Sequence, residues 1–485
     1  MRVAFRIAAV VALQASLLFV GVSARAGDPG APSPLTRVGT SDKICQLIGD
    51  VDWESGKPTQ ARTYTKHGLD AADLGYPVDL GKKLVLLFGD SWPAGHPVGT
   101  PADLPPDDSV GITTRRDAPT EKDCLELKIN DTGTSPEHFA PATIVHTPAI
   151  EQGFFNVPSG GVGVAGDLYA FFWTNHCVMP THLAPSASDP LSLPAPTKKC
   201  PETSAQNSLG IGVMAHSSDD GRTFTDVVTM PSGFVYATAM NSAAHADLPA
   251  DQRLGVFIFA AARYRASVPY LAYAPAGSLD NTSKWRFFTG RDSSGQPKWV
   301  TLAAWNGGHS HPWAPPGDAE VFTPDSDAQR CIGEFSVTWN KPLRMWLMLF
   351  QCPGGVQGRV AAAPWGPWSE PFTLLSLADK VECHLIMSPK GCGTQRNYWP
   401  GKTSGGTVTP GGFYAPYVLN RYTADAGSTY DSHETTIYWT LSTWNPYVVS
   451  IMRTTLQTTW SATPWPHIRP TIPPGEGPAP RPTVR

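Results

Sequence analysis

Three carboxylic acids of this sequence stand in apolar or glycine-rich runs, where a solvated charge is unusual. Asp73 lies in the segment AADLGYP, Asp90 ends the run LVLLFGD, and Glu334 lies within CIGEFSV. Hydrolysis of a glycosidic bond needs two carboxyls in one pocket, one protonated as the acid and one ionised as base or nucleophile. These residues are therefore candidate catalytic groups. Two of them also have a structural explanation, since Asp90 could cap a turn after Gly89 and Glu334 could pair with an arginine.

Four further residues are candidates for binding a substrate. Trp92 and Trp444 follow strand-like runs and could stack on the apolar face of a sugar, although packing between blades explains a tryptophan equally well. Arg265 could bind hydroxyl groups or keep a carboxylate ionised, and a structural ion pair is the alternative. Asn445, directly after Trp444, completes this group.

The sequence shows no convincing metal or cofactor motif. His309 and His311 could bind a metal, but an isolated H-x-H in a polar loop is more often solvated. No C-x-x-C pair, nucleotide-binding loop or metalloprotease motif occurs in a convincing context. We therefore expect no cofactor, and nothing in the sequence indicates a structural calcium ion.

Strands must position these residues, because no long run shows the apolar spacing of an amphipathic helix. Short apolar, aromatic and β-branched runs bounded by Gly, Pro, Asn and Asp are frequent instead. Five of these runs resemble each other, and their starts are separated by 84, 87, 89 and 92 residues: 84–90, 168–175, 255–260, 344–350 and 436–442. Near-even recurrence of one strand type indicates a repeat architecture.

The repeat favours an all-β fold, a five-bladed β-propeller. One blade per repeat gives five blades, whereas two per repeat would give ten, outside the usual range of about four to eight. A β-sandwich, or a pair of them, is the alternative, but it would not require such regular spacing. The propeller places Asp73 on the innermost strand of the first blade and Glu334 on that of the fourth.

A local motif agrees with the propeller. The octapeptide SSDDGRTF at 217–224 fits the Asp-box pattern S-x-D-x-G-x-T-F, a hairpin found in sialidases and other propellers. In this turn Asp219 accepts amide hydrogen bonds, Gly221 permits a positive φ, and Phe224 packs into the blade. We expect Asp219 to be structural and remote from catalysis.

The two ends of the chain differ from the propeller in composition. Residues 1–26 combine a basic start, an apolar run and the small residues of ARA at 24–26, as a cleaved signal peptide does. We then expect a flexible leader at 27–43, the propeller at 44–462 and a disordered proline-rich tail at 463–485. The protein is expected to be exported to the periplasm or the cell exterior, with no membrane span.

The charge balance excludes some partners. The chain has 41 acidic and 37 basic residues and a formal charge of −4. Because it has no basic stripe or tail, we expect neither nucleic acid nor an anionic membrane as a partner. A polysaccharide is the expected partner, and the protein is expected to be a monomer.

Eight cysteines fit an oxidising compartment. One pair flanks two apolar strands that a hairpin would bring together, a second encloses a short glycine-containing loop, and a third flanks a polar, proline-rich insertion. The last two cysteines are then left to each other. In that order, the predicted bridges are Cys331–Cys352, Cys383–Cys392, Cys177–Cys200 and Cys45–Cys124.

Several motifs together resemble one family, the domain-of-unknown-function 4185 family, over roughly residues 60 to 455: DLGYP, LLFGDSW, YRAS, GEFS, PWGPW and STWNPY. Some members are secreted endo-D-arabinanases, classified among the glycoside hydrolases, on a five-bladed propeller. The resemblance implies that Asp73 and Asp90 are the leading catalytic carboxylates and that Glu334 is the next candidate. Where the family usually reads G-T-D-L-G, this chain has Ala71 and Ala72 before the aspartate, so a neighbouring hydroxyl is lost.

The expected function is hydrolysis of a furanose-containing polysaccharide, with arabinan as one example. A non-catalytic, lectin-like propeller is the alternative, and it would show aromatic and amide groups in the funnel without a carboxyl pair. A sialidase is disfavoured, because the R-I-P segment that typically places a substrate-binding arginine is absent. The two main hypotheses differ in whether Asp73, Asp90 and Glu334 face one funnel.

Overall fold

The chain forms five β-sheets that are the blades of a propeller, as the sequence repeat predicted. The computed structural model describes residues 33–93, 107–130, 143–144, 156–174, 211–242, 248–307, 319–324, 330–376, 403–404, 407–408, 412–429, 432–444 and 446–459. Nearly all regular structure in these ranges is β-strand.

The first half of the chain supplies two N-terminal strands and blades one and two. Before blade one come β1 (Leu35–Val38), β2 (Asp42–Gln46) and a short helix, α1 (Thr63–His67). Blade one contains β3 (Leu69–Asp79), β4 (Leu84–Pro93), β5 (Asp107–Thr113) and β6 (Lys128–Asn130). Blade two contains β7 (Thr143–Ile144), β8 (Asn156–Val164), β9 (Asp167–Thr174), β10 (Ile211–Ser217) and β11 (Thr223–Thr229).

The second half supplies blades three to five. Blade three contains β12 (Tyr236–Asn241), β13 (Gly255–Ala261), β14 (Pro269–Pro275), β15 (Arg286–Arg291) and β16 (Pro297–Val300), and helix α2 (Leu302–Gly307) follows. Blade four contains β17 (Phe335–Asn340), β18 (Met345–Cys352), β19 (Gly355–Ala361) and β20 (Phe372–Ser376), and a short hairpin follows, β21 (Thr403–Ser404) with β22 (Thr407–Val408). Blade five contains β23 (Phe413–Val418), β24 (Ala424–Thr429), β25 (Ser432–Trp444) and β26 (Tyr447–Thr459). Single 3-10 turns occur at Ala250–Gln252, Thr282–Lys284 and Asn420–Tyr422.

The innermost strand of each blade lines the propeller axis. These strands are β3, β8, β12, β17 and β23, and each contacts its neighbours in the ring, with β23 returning to β3. The five recurring runs of the sequence are the second strands β4, β9, β13, β18 and β25. They are apolar on both faces because each blade packs against the next; in β13 every residue is buried.

Blade five is completed by strands from the other end of the chain. β1 and β2 both pair antiparallel with β26. The boundary expected from sequence is therefore wrong in part: residues 35–43 of the supposed flexible leader at 27–43 include strand residues. Their few apolar side chains concealed this role, because an edge strand is held mainly by backbone hydrogen bonds to its neighbour.

The seam between blades one and five is locked by a buried arginine. Arg421 donates to the carboxylate of Asp79 and to the carbonyl oxygens of Gly81 (2.9 Å), Lys83 (2.8 Å) and Arg115 (3.4 Å). Its side chain is only 7% exposed. One residue of blade five is thus bonded to several segments of blade one.

The Asp-box turn has the structural role that its pattern predicted. Asp219 Oδ1 accepts from the backbone amides of Arg222 (3.1 Å) and Thr223 (2.9 Å), and Oδ2 accepts from the Thr223 hydroxyl (2.7 Å). Gly221 has a φ of 81°, and Phe224 is buried edge-on against Phe172. This hairpin joins β10 to β11, the outer strands of blade two.

Two of the predicted disulfides lie in the described chain, and both are confirmed. Cys331–Cys352 brackets the β17–β18 hairpin, with Cα atoms 5.2 Å apart, and Cys45–Cys124 links β2 to blade one, with Cα atoms 6.0 Å apart. The pairs Cys177–Cys200 and Cys383–Cys392 lie outside the described residues. The disulfides indicate an oxidising compartment. No helix in the described ranges is long and apolar enough to cross a membrane.

Candidate active site

The three candidate carboxyls lie together where the innermost strands begin. Asp73 is on β3, opposite Gly89 of β4, and Asp90 follows that glycine. Glu334 immediately precedes β17. The charges of both Asp90 and Glu334 act on the Asp73 carboxyl. The fold therefore gathers residues from blades one and four at one end of the axis.

The backbone around this site departs from regular strand geometry. Leu74, Asp90, Arg265 and Ala415 have left-handed backbones, with φ of 62°, 37°, 51° and 54°. β-Bulges also interrupt the pairing of β3 with β4 on both sides of Asp73. Such backbones are unfavourable for residues with a Cβ and cluster at functional sites, while bulges re-aim side chains.

Gly89 leaves the space that lets the two aspartates be neighbours. A Cβ at this position would lie 2.7 Å from Asp73 Oδ1 and 2.7 Å from Leu74 Cδ1. Both separations are too short for a real Cβ contact, so any larger residue would displace the carboxyl or the Leu74 side chain. The glycine in FGD is thus part of the site's construction.

Two tyrosine hydroxyls from blade five bind the carboxyls of blade one. Tyr414 donates to Asp73 Oδ2 at 2.6 Å, and Tyr447 donates to Asp90 Oδ2 at 3.0 Å. Tyr447 is held by a tight turn in which the Thr443 hydroxyl donates to Pro446 O at 2.6 Å. The sequence analysis gave neither tyrosine a role, although Tyr447 ends the family-like run STWNPY.

Burial and mutual repulsion raise the pKa values of both aspartates. For Asp73, which is 6% exposed, burial raises the pKa well above its usual range and the charge of Asp90 raises it further, against hydrogen bonds from Tyr414 and Tyr447. Burial raises the pKa of the half-buried Asp90 to about 6, against a hydrogen bond from Tyr447. The pair therefore binds a proton more readily than a separate aspartate does, and burial together with the charge of Asp90 favours Asp73 as the residue that carries it.

A third aspartate supports the strained backbone at Asp90. The Asp90 amide donates to Asp108 Oδ1 at 3.3 Å, and Asp108 is 6% exposed on β5. Next to it, the hydroxyls of Ser91 and Ser109 share a hydrogen bond of 2.7 Å. Sequence reasoning missed Asp108, since a DDS run reads as an ordinary turn.

Glu334 and Arg265 form an ion pair beside the aspartates. Arg265 Nη2 lies 3.6 Å from Glu334 Oε2, and the arginine side chain is 37% exposed while that of Glu334 is 12% exposed. The guanidinium carbon lies 4.7 Å from the ring centre of Tyr264 and 5.7 Å from that of Tyr414. Arg265 is thus ion-paired, as the structural interpretation of the sequence expected, and its role in binding hydroxyl groups stays a prediction.

The structure supports neither tryptophan as a sugar-binding residue. Trp92 is 1% exposed and packs with Ala71 and Tyr447. Its ring therefore supports Tyr447, which binds Asp90, and has no exposed face for a sugar. Trp444 ends β25, but its side chain is outside the described residues, as are Asn445, His309 and His311.

Aromatic rings line the site and close the axis beneath it. Tyr236 stacks on Trp173 at 5.3 Å, and Tyr264 lies 5.4 Å from Tyr236. Deeper in the channel, Tyr76 of blade one shares a 2.6 Å hydrogen bond with Thr238 of blade three. Among the described residues, no cluster of three or more His, Cys, Asp or Glu side chains has the arrangement of a metal site.

The molecule is thus a five-bladed β-propeller with two neighbouring carboxyls at one end of its axis. A family model described as "Domain of unknown function (DUF4185)" matches residues 59–453, more than half of the chain, and the chain belongs to this family. No curated protein matches the chain.

Several solved structures are similar to the chain at low TM-score and very low identity. The subtype N11 neuraminidase-like protein of A/flat-faced bat/Peru/033/2010 has a TM-score of 0.35 and 10% identity, over 88% of this chain and 98% of that one. The neuraminidase-like protein from A/bat/Guatemala/164/2009 has a TM-score of 0.33 and 9% identity, over 86% of this chain and 96% of that one. The haemagglutinin-neuraminidase ectodomain of parainfluenza virus 5 has a TM-score of 0.30 and 9% identity, over 88% of this chain and 86% of that one. At these scores the similarity carries no information about the site.

Proposed function

We propose that this protein is a glycoside hydrolase that cleaves a furanose-containing polysaccharide, with arabinan as the first substrate to test. The observation that supports this function is the neighbouring pair Asp73 and Asp90, both with raised pKa values. A protonated carboxyl beside an ionised one is the chemical equipment of a glycosidase. The substrate class rests on the family resemblance, since some members are endo-D-arabinanases.

The two aspartates take different roles because their environments differ. Asp73 is the more buried and keeps its proton, so it is the general acid that protonates the leaving oxygen. Asp90 is more accessible and ionised above about pH 6, so it acts as base or nucleophile at the sugar carbon. The ion pair of Arg265 and Glu334 lies beside them, where it can hold the hydroxyl groups of a bound sugar.

Carbohydrate binding without cleavage is the second candidate. The exposed guanidinium of Arg265 over the partly buried ring of Tyr264 offers hydrogen bonds and an aromatic surface, as a lectin site does. A binding protein gains nothing, however, from two buried carboxyls that repel each other. The carboxyl pair therefore favours the enzyme.

Incubation of the purified protein with a panel of arabinans, galactans and sialosides tests the function. We expect new reducing ends from arabinan, measured chemically and by chromatography of the products. Binding of a polysaccharide in pull-down without any cleavage would favour the lectin. Cleavage of sialosides alone would contradict the proposed substrate class.

We also propose that the protein is exported and acts outside the cytoplasm. The support is the pair of disulfides, together with the signal-like sequence at residues 1–26. N-terminal sequencing of the protein recovered from its native compartment should begin at Gly27. A start at Met1 in the cytoplasmic fraction would overturn this proposal.

A further inference from the structure

The buried Tyr447 is 2% exposed and is the first residue of β26, where that strand meets the carboxyl pair. Its hydroxyl donates to Asp90 Oδ2 at 3.0 Å, and it acts on Asp73 as well. Its ring packs with Trp92 and Ala71 in one buried cluster, so side chains of blade one help to fix the phenol. A hydroxyl that donates to one member of a carboxyl pair and lies close to the other influences where the proton of the pair resides.

Tyr414 contrasts with Tyr447 in the carboxyl that it binds. Its hydroxyl donates to Asp73 Oδ2 at 2.6 Å, and among the described residues it makes no hydrogen bond to Asp90. Asp73 Oδ1 has no hydrogen-bond partner among the described residues, so this oxygen is available to carry the proton. The two phenols thus donate to different carboxyls, Tyr414 to Asp73 and Tyr447 to Asp90.

We propose that Tyr447 is a positioning residue that decides which carboxyl is ionised: its hydroxyl donates to Asp90, which keeps the charge there and leaves the proton on Asp73. This inference rests on the proposed function and names a further residue that supports it. Tyr447 acts through the carboxyls and does not itself react. Among the described residues, the other titratable or charged groups that face the pair are Glu334, Arg265, Tyr264, Tyr414, Tyr417 and Asp108.

The variant Tyr447→Phe tests the proposal, because it removes one hydroxyl and keeps the ring that packs on Trp92. Loss of a hydrogen bond to the ionised form raises the pKa of Asp90, so the acidic limb of the pH–rate profile should move up by about one pH unit. The loss of turnover in the variant, relative to the wild type, should be roughly tenfold larger at pH 5.5 than at pH 8. Tyr414→Phe should leave the acidic limb in place and shift only the basic limb.

Tyr422→Phe is the matched control. Tyr422 is also a buried tyrosine of blade five, and its hydroxyl donates one bond of 3.1 Å, to the carbonyl oxygen of Arg115. Its removal costs a phenol hydrogen bond far from the carboxyl pair. Both limbs of its profile should coincide with those of the wild type.

A second readout does not depend on turnover. With 13C-labelled aspartate, NMR titration follows the Asp90 carboxyl, assigned by its loss in Asp90→Asn. Its midpoint should lie near 6 in the wild type and rise in Tyr447→Phe. An unmoved midpoint in a folded variant would overturn the role of Tyr447, whether or not turnover changes. A raised midpoint in a protein that cleaves no polysaccharide would support the proton assignment and contradict the hydrolase.

Discussion

Asp90 shows how burial sets the chemistry of a single side chain in this protein. Its pKa is raised by burial to about 6, from a usual value of 3.8. A carboxyl with a folded-state pKa above its unfolded value binds its proton more tightly in the folded protein. The free energy of unfolding therefore falls as pH rises through the window from 3.8 to about 6. The charge that the proposed hydrolysis needs on Asp90 is thus a source of instability at neutral pH.

The variant Asp90→Asn should be more stable than the wild type at pH 7.5. It removes a penalty of about 3 kcal/mol, the free-energy equivalent of the pKa shift, and the gain should shrink as pH falls towards 4. Calorimetric melting curves between pH 4 and pH 8 measure this. Asp219→Asn is the control of opposite sign. Burial raises the pKa of Asp219, but hydrogen bonds from Thr223, Ser217 and Arg222 outweigh it and lower the pKa. Loss of this carboxylate should therefore destabilise the folded protein at neutral pH. A Tm for Asp90→Asn at or below that of the wild type throughout would contradict the prediction.

Elements of blades one and five meet at a seam that a few long side chains hold. β3 contacts β23, β25 and β26, and below these strands Arg421 reaches the β3–β4 turn and the carbonyl oxygen of Arg115. Because Arg421 is buried while its partners are mostly backbone carbonyls, solvent cannot replace its bonds easily. The seam is also where Tyr414 and Tyr447 meet the aspartates, so its integrity matters for the site.

Arg421→Met should therefore lower the free energy of unfolding by about 2–3 kcal/mol, since several hydrogen bonds at about 1 kcal/mol each are lost. Denaturant unfolding measures the change. Arg453→Met is the matched control, because Arg453 pairs with Asp42 at 3.2 Å with both side chains more than a third exposed. Such a surface pair contributes below about 1 kcal/mol. Equal effects of the two variants would show that the buried network does not hold the seam.

The elements that sequence analysis predicted well are those with local signals. The second strand of each blade is apolar on both faces, and the Asp box is a contiguous octapeptide, so both could be recognised. β1 and β2 were missed because their position depends on β26, some 400 residues away in the sequence. Asp73 and Asp90 were found from apolar surroundings and family resemblance, but their phenol partners come from blade five and only the closed ring reveals them. Sequence left Trp92 open between sugar stacking and packing, and its burial, a tertiary property, favours packing.

The whole molecule is closed by the pairing of its two ends. The N-terminal strands complete the sheet of β26, and Cys45–Cys124 fastens β2 to blade one across 79 residues of sequence. The ring therefore cannot open at this seam without breaking a covalent link. Because the Asp73–Asp90 pair lies on one side of the seam and its tyrosines on the other, ring closure assembles the candidate site.

Removing the Cys45–Cys124 bridge should destabilise the protein more than removing Cys331–Cys352. A crosslink lowers the conformational entropy of the unfolded chain by an amount that grows with the logarithm of the loop length. The stabilisation is about 4 kcal/mol for the 79-residue loop and about 3 kcal/mol for the 21-residue loop. Melting of the two Cys→Ser double variants measures the order. A larger loss for the shorter loop would contradict this account of ring closure.

The initial rate of polysaccharide cleavage by Asp73→Asn and Asp90→Asn tests the central claim most directly. Each variant keeps the side-chain shape and removes the proton chemistry, so turnover should fall at least about 100-fold, within the range of general acid–base catalysis. Asp219→Asn should retain near-normal turnover at a temperature where it is folded. If both Asp73→Asn and Asp90→Asn cleave the confirmed substrate at the wild-type rate, the carboxyl pair is not the catalytic centre, and Glu334 becomes the residue to test.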